Sequence, residues 1–175
     1  MQKLLTILIV SGALFGCASP ATQQAMIVNK SEISINQSQK TKLKGSVEVL
    51  NVTGGKETNP LWTSQVDSKT FKGALEDSLT TVGLRAYEGT PKFKIDANLV
   101  SLDQPLFGIN FTVKSTVNYT VNYDDKVINI LINANGEATP TDAFFAVERL
   151  KIANERSINE NIKAFITKFT SIFGG

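Results

Sequence analysis

The 175-residue chain is long enough for one domain, and its 18 basic and 16 acidic residues leave a net charge of +2, without the basic footprint of a nucleic-acid-binding protein. It contains no histidine, which excludes Ser-His-Asp and Cys-His nucleophile pairs, His-ligated zinc and the usual general base near pH 7. Carboxylate, Lys or Tyr chemistry is all that remains, and the one cysteine, Cys17, leaves the chain without an internal disulfide.

In chain order, Lys3 precedes a 12-residue apolar run, Leu4 to Phe15. That is too short for a bilayer span, which needs roughly 20 residues, but has the form of a secretory leader. The run ends in Leu14-Phe15-Gly16-Cys17, which resembles the lipobox of bacterial lipoproteins. The resemblance implies that residues 1–16 are a signal peptide removed before Cys17. It also implies that Cys17 is diacylated on sulfur, with its new amino group open to one further acyl chain such as palmitate. The alternatives are an ordinary secretory leader beside a free thiol or a noncleaved anchor, and an exposed thiol is a liability in an oxidising compartment. Ala18 in place of Asp implies, by the enterobacterial sorting pattern, the outer membrane with the domain facing the periplasm.

Residues 17–42 are rich in Ser, Thr, Gln and Asn and read as a tether, with Ile33 and Ile35 able to begin a short edge strand. Lys40, Lys42 and Lys44 read as the solvated face of a strand start.

The folded domain is expected over residues 43–175. Gly45 to Val52 alternates as a strand and stops at Gly54-Gly55. Trp62, beside Pro60, reads as a lid on the core ahead of a binding anchor. Asp67 or Ser68 caps a helix with Phe71, Ala74, Leu75, Leu79 and Val82 on one stripe, which Gly83 ends. Phe93 to Leu99 alternates as a second strand. Ile109 to Tyr123 alternates without a slip and forms the third, unusually long strand. Asp124-Asp125 turns it back into Val127 to Glu137. Thr139-Pro140-Thr141-Asp142 supplies the cap of a helix from about Ala143 to Ile172.

The order β-α-β-β-β-α, with each strand apolar on one face, predicts an α+β two-layer sandwich. Two helices pack on one face of a four-stranded mixed sheet and the other face stays open. A lipobox, a tether and this order together resemble small envelope lipoproteins: the lipoprotein that plugs the lipopolysaccharide-assembly barrel, auxiliary lipoproteins of intermembrane lipid ABC transporters, and YajG-like lipoproteins. Leu102-Asp103-Gln104-Pro105-Leu106-Phe107-Gly108, Val117-Asn118-Tyr119 and Glu148 to Glu155 look like a group of hypothetical proteobacterial lipoproteins. No family catalytic residue carries over.

The lipidation site is therefore Cys17, and Leu106, Phe107, Asn118 and Thr120 are the possible partner contacts. Leu106-Phe107 sits at a loop tip, where it docks a partner, dips into lipid, or tucks under the helix ends. Asn118 and Thr120 belong to an Asn/Thr sheet face, read first as solvated and second as a surface for a wet protein interface or a glycan. Phe144-Phe145 is expected in the core. Glu148, Arg149, Asn154 and Glu155 read as an exposed helix face, with a buried polar knot as the alternative. Two acids close together in a cleft would be needed for carboxylate catalysis, and no pair announces itself. We expect a non-enzymatic envelope lipoprotein, without metal or cofactor, held to the outer membrane by acyl chains and serving an envelope protein complex. The alternative is a lipid-binding auxiliary of intermembrane lipid or lipopolysaccharide transport, which needs an apolar groove.

Overall fold

A computed structural model describes residues 18–59, 63–87 and 89–175. The expectations for the leader, Cys17 and Pro60-Leu61-Trp62 lie outside the described residues. The elements are α1 (Gln23–Met26), a 3-10 turn (Lys30–Glu32), α2 (Gln37–Leu43), β1 (Val47–Thr53), α3 (Ser68–Thr81), β2 (Phe93–Asp103), β3 (Phe111–Tyr123), β4 (Lys126–Ala138) and α4 (Ala146–Phe173).

The sheet order is β1-β2-β3-β4, with β1 parallel to β2 and the other pairs antiparallel. The fold is α+β, a mixed sheet with α3 and α4 on one face. Asp124 and Asp125 sit at φ +44 and +58, the left-handed pair that a two-residue hairpin turn demands. From that turn β3 and β4 pair without a shift, from Tyr123↔Lys126 to Phe111↔Ala138. Thirteen residues make a hairpin of roughly 43 Å, which matches the roughly 42 Å of the 28-residue α4 beneath it. Gly136 permits the contact: a Cβ there would lie 2.1 Å from the Ser157 nitrogen and 2.3 Å from the Ala153 carbonyl oxygen. Asp67 caps α3 by accepting from the Thr70 N–H at 2.8 Å, and Gly83 follows its end at φ +79. Both match the sequence.

Residues 18–43 are not a solvated tether. They lie along α3 and α4, with Met26 and Val28 fully buried and Leu43 nearly so. The Thr22 N–H and hydroxyl donate to Glu155 Oε1 at 2.8 and 2.9 Å, Ser78 Oγ accepts from the Val28 N–H at 3.0 Å, and Asn159 Nδ2 donates to the Ile27 carbonyl at 2.8 Å. Further on, Gln39 Nε2 donates to the Thr170 carbonyl at 3.2 Å. The polar composition misleads because these side chains are used locally. Asn36 and Gln39 cap each other's backbone to start α2, which takes in Lys40 and Lys42 where a strand was expected, with Lys44 at its end. Ile33 and Ile35 form no strand and pack on the core instead.

The last helix begins later than its expected cap. Phe145 is its N-cap and offers no side-chain hydrogen bond. Asp142 instead closes its own turn, accepting from the Thr139 N–H at 2.8 Å, and takes Arg156 Nη2 at 2.6 Å. The Arg156 hydrogen bond holds the Asp142 carboxyl well below the ordinary aspartate range. Starting the helix here leaves Phe144 and Phe145 outside the core, 87% and 56% exposed, against the expectation of burial.

Candidate functional site

Two loops meet where β2 ends, β3 begins and β4 ends, because Asp103 pairs with Lys114 and Phe111 with Ala138. The β2–β3 loop carries Leu106, Phe107 and Ile109, 85%, 87% and 74% exposed. The loop after β4 carries Phe144 and Phe145. Five of the ten exposed large apolar side chains among the described residues thus sit at one end. Arg149 fixes the second loop, donating from Nη1 to the Ala143 and Phe144 carbonyls at 3.0 and 2.7 Å. Its guanidinium also lies 5.5 Å from the Phe111 ring centroid.

Between the β2–β3 loop, the start of β3 and the start of α4 opens a cleft of about 640 Å³, with Leu102, Pro105, Leu106, Phe111, Val147 and Leu150 among its walls. Thr63, Asp103 and Gln104 give it one polar side. Behind that side, Gln104 Nε2 and Asn154 Nδ2 both donate to the Ser64 carbonyl, at 2.8 and 3.0 Å. A rigid back wall follows, because a buried amide with several partners has one orientation.

Arg149, Asn154 and Glu155 are buried, against the exposed helix face first expected, but they are not joined into the polar knot of the alternative, because each finds its partners elsewhere. The i, i+5 and i+6 spacing spreads them around α4: Arg149 toward the loop, Asn154 toward Ser64 and Glu155 toward Thr22. Glu148 stays outside and pairs with Lys151 at 3.1 Å.

A second buried polar group lies midway along α4. Tyr119 donates its hydroxyl to Asn161 Oδ1 at 3.0 Å, and Asn161 Nδ2 donates to Ser115 Oγ at 3.1 Å and the Ile132 carbonyl at 3.2 Å. Burial pushes the Tyr119 hydroxyl well above its ordinary value, so it stays neutral and serves as a donor. The ring stacks on Phe165 at 3.9 Å between centroids, and nothing solvent-borne reaches it.

Asn118 and Thr120 lie on the open sheet face, over a shallow hollow of about 250 Å³ shared with Asn51, Thr53, Asp96 and Asn98. Much of this face pairs with itself: Asn51 donates to Asp96 at 2.8 Å, Thr116 to Asn133 at 2.8 Å and Thr120 to Asn129 at 2.8 Å. Asn118 stands seven residues along β3 from Phe111, roughly 23 Å from the cleft end. The four expected contact residues therefore divide into two separate places. Leu106 and Phe107 join the cleft, while Asn118 and Thr120 do not. The sequence reading missed Ile109, Val147 and Leu150 as part of this end. Leu106-Phe107 and the doubled Phe144-Phe145 were its visible signals.

Among the described residues no group of three or more His, Cys, Asp or Glu could hold a metal ion, and no helix is long and apolar enough to cross a membrane.

No protein-family model matches the chain, and no curated protein does. Solved structures do resemble it. A candidate lipoprotein from Caulobacter crescentus superposes with a TM-score of 0.52 at 12% identity, covering 78% of this chain and 96% of that one. A Xanthomonas campestris protein of the DUF330 family gives 0.56 at 8% identity, covering 88% and 93%. A hypothetical protein from Chlamydia trachomatis gives 0.53 at 11%, covering 75% and 98%. At these identities the likeness establishes a shared fold.

Proposed function

We propose that this chain is a bacterial envelope lipoprotein, anchored by acyl chains on Cys17, that performs no covalent chemistry and receives an apolar ligand such as a lipid acyl chain in its end cleft. One observation carries the reading. The cleft is large enough for a ligand and walled mainly by aliphatic and aromatic side chains, with few polar groups on one side, the usual make-up of a small-molecule site. The Leu14-Phe15-Gly16-Cys17 motif and the shared fold with a candidate lipoprotein support the anchor. Ala18 after the cysteine supports the outer membrane as the address. In this reading the protein is an auxiliary of lipid or lipopolysaccharide traffic between membranes.

The test is binding of a fluorescent fatty acid and of phospholipid competitors to the purified domain. Val147→Trp, which fills the cleft from a half-buried position, should weaken binding at least about tenfold, while Lys126→Glu at the opposite end should leave it unchanged. Unaltered affinity in Val147→Trp, or no binding by the wild type, removes the lipid role. The open Asn/Thr face favours a second role, contact with an envelope protein. Crosslinking in intact envelopes from position 118, compared with position 106, separates the two.

A further inference from the structure

The first described residues lie beside the cleft. The Ala21 N–H donates to the Gln65 carbonyl at 3.1 Å, and Gln65 Nε2 reaches Thr63 Oγ1 at 3.2 Å and Gln104 Oε1 at 3.3 Å. Thr63 and Gln104 both line the cleft. From there the chain runs in one direction along α4, touching Glu155 from Thr22, Asn159 from Ile27 and Thr170 from Gln39. Followed backward, it heads toward the start of α4 and the exposed loops.

The described chain begins at Ala18, three positions before Ala21, and even fully extended it covers at most about 11 Å over that distance. Glu155, where Thr22 is held, lies about 14 Å along the axis from the start of α4 and about 27 Å from its end. Ala18 is thus on the loop half of the molecule and out of reach of the far end. Ala18 and Ala21 are buried, so the start of the described chain is held against the domain.

We propose that the protein sits flush on the bilayer that holds its acyl chains, with Leu106, Phe107, Ile109, Phe144 and Phe145 dipping into the lipid. This inference rests on the acylation of Cys17 given above. Exposed apolar tips are costly in water and gain when inserted beside an anchor, because one surface then satisfies both. The Arg149 hydrogen bonds hold the Phe144 loop out in readiness. The cleft, walled in part by Pro105 and Leu106 of the inserted loop, then lies at the membrane, where an acyl chain enters without crossing water.

The acylated full chain tests this. A cysteine is introduced at Phe107, Phe144 or, as control, Asp125 in the far-end turn, then labelled with an environment-sensitive dye. The labelled proteins are placed in phosphatidylethanolamine–phosphatidylglycerol vesicles containing a nitroxide-bearing lipid. The inference expects about twofold or greater quenching at positions 107 and 144 and none at 125. Equal quenching at all three sites in protein with acyl mass on Cys17 overturns the docking alone. A preparation whose intact mass shows no acyl group on Cys17 overturns the anchor and the docking together. Phe107→Asp with Phe144→Asp in the same protein should abolish quenching reported from position 109. Persistence of that quenching also overturns the proposal.

Discussion

At the end of the molecule that carries the Asp124-Asp125 turn, Phe93 packs edge-on against Phe169 at 5.1 Å between centroids and tilted against Phe173 at 4.8 Å. Tyr123 closes the group, 4.9 Å from Phe173. At the opposite end, Phe107, Phe144 and Phe145 stand in solvent. Both ends are rich in the same residue. The difference is what each aromatic is attached to. Phe165, Phe169 and Phe173 recur every four residues on the buried stripe of α4, so one helix presents all three to the sheet. Phe107 and Phe144 sit on loops beyond the last paired residues, where no second layer covers them. An aromatic side chain is thus a stabiliser at one end and an available contact at the other.

The largest effect should separate these two uses. Phe169→Ala should lose about 3–5 kcal/mol of unfolding free energy in a denaturant titration, as a large side chain leaves a cavity. Phe107→Ala should change the same quantity by less than about 0.5 kcal/mol. A cost at Phe107 comparable to that at Phe169 would mean that the loop end is part of the core.

The next effect probes the buried amide midway between the ends. Asn161→Ala strands the Tyr119 hydroxyl without an acceptor and should cost about 1–3 kcal/mol. In a Tyr119→Phe background that cost should shrink by roughly 1 kcal/mol, because the pair is coupled. Additive costs would show that the amide's bonds to Ser115 and Ile132 matter alone.

The smallest effect belongs to the surface next to the exposed end. Asp142 is held below its ordinary pKa of 3.8 by Arg156, so its contribution is complete above that value and is lost as pH falls below it. Asp142→Asn should therefore be less stable than wild type at neutral pH, and the gap should close in acid. A gap that persists unchanged at low pH would assign the effect to the Thr139 turn instead.

The sheet and both main helices were legible because their periods are clean. Ile109 to Tyr123 alternates over its whole length, and the four-residue Phe spacing of α4 is equally regular. The segment before Gly45 was not legible. Its few apolar residues, Met26, Val28 and Leu43, look sparse in sequence, and only α3 and α4 together supply the groove that buries them. The cleft was half legible. Leu106-Phe107 stood out as an apolar pair in a loop, but Val147 and Leu150 read as ordinary helix stripe, and nothing local shows that they share a cavity with Pro105.

Local chemistry by itself determined the element types, the tight Asp124-Asp125 turn and the Asp67 cap, because each depends on neighbours within a few positions. Tertiary structure decided that the leading segment is packed, that Arg149, Asn154 and Glu155 are buried, and that two loops thirty-odd residues apart form one apolar end. Those outcomes depend on which surfaces the β3–β4 register brings together, and burial is a property of the assembled layers rather than of any stretch of chain.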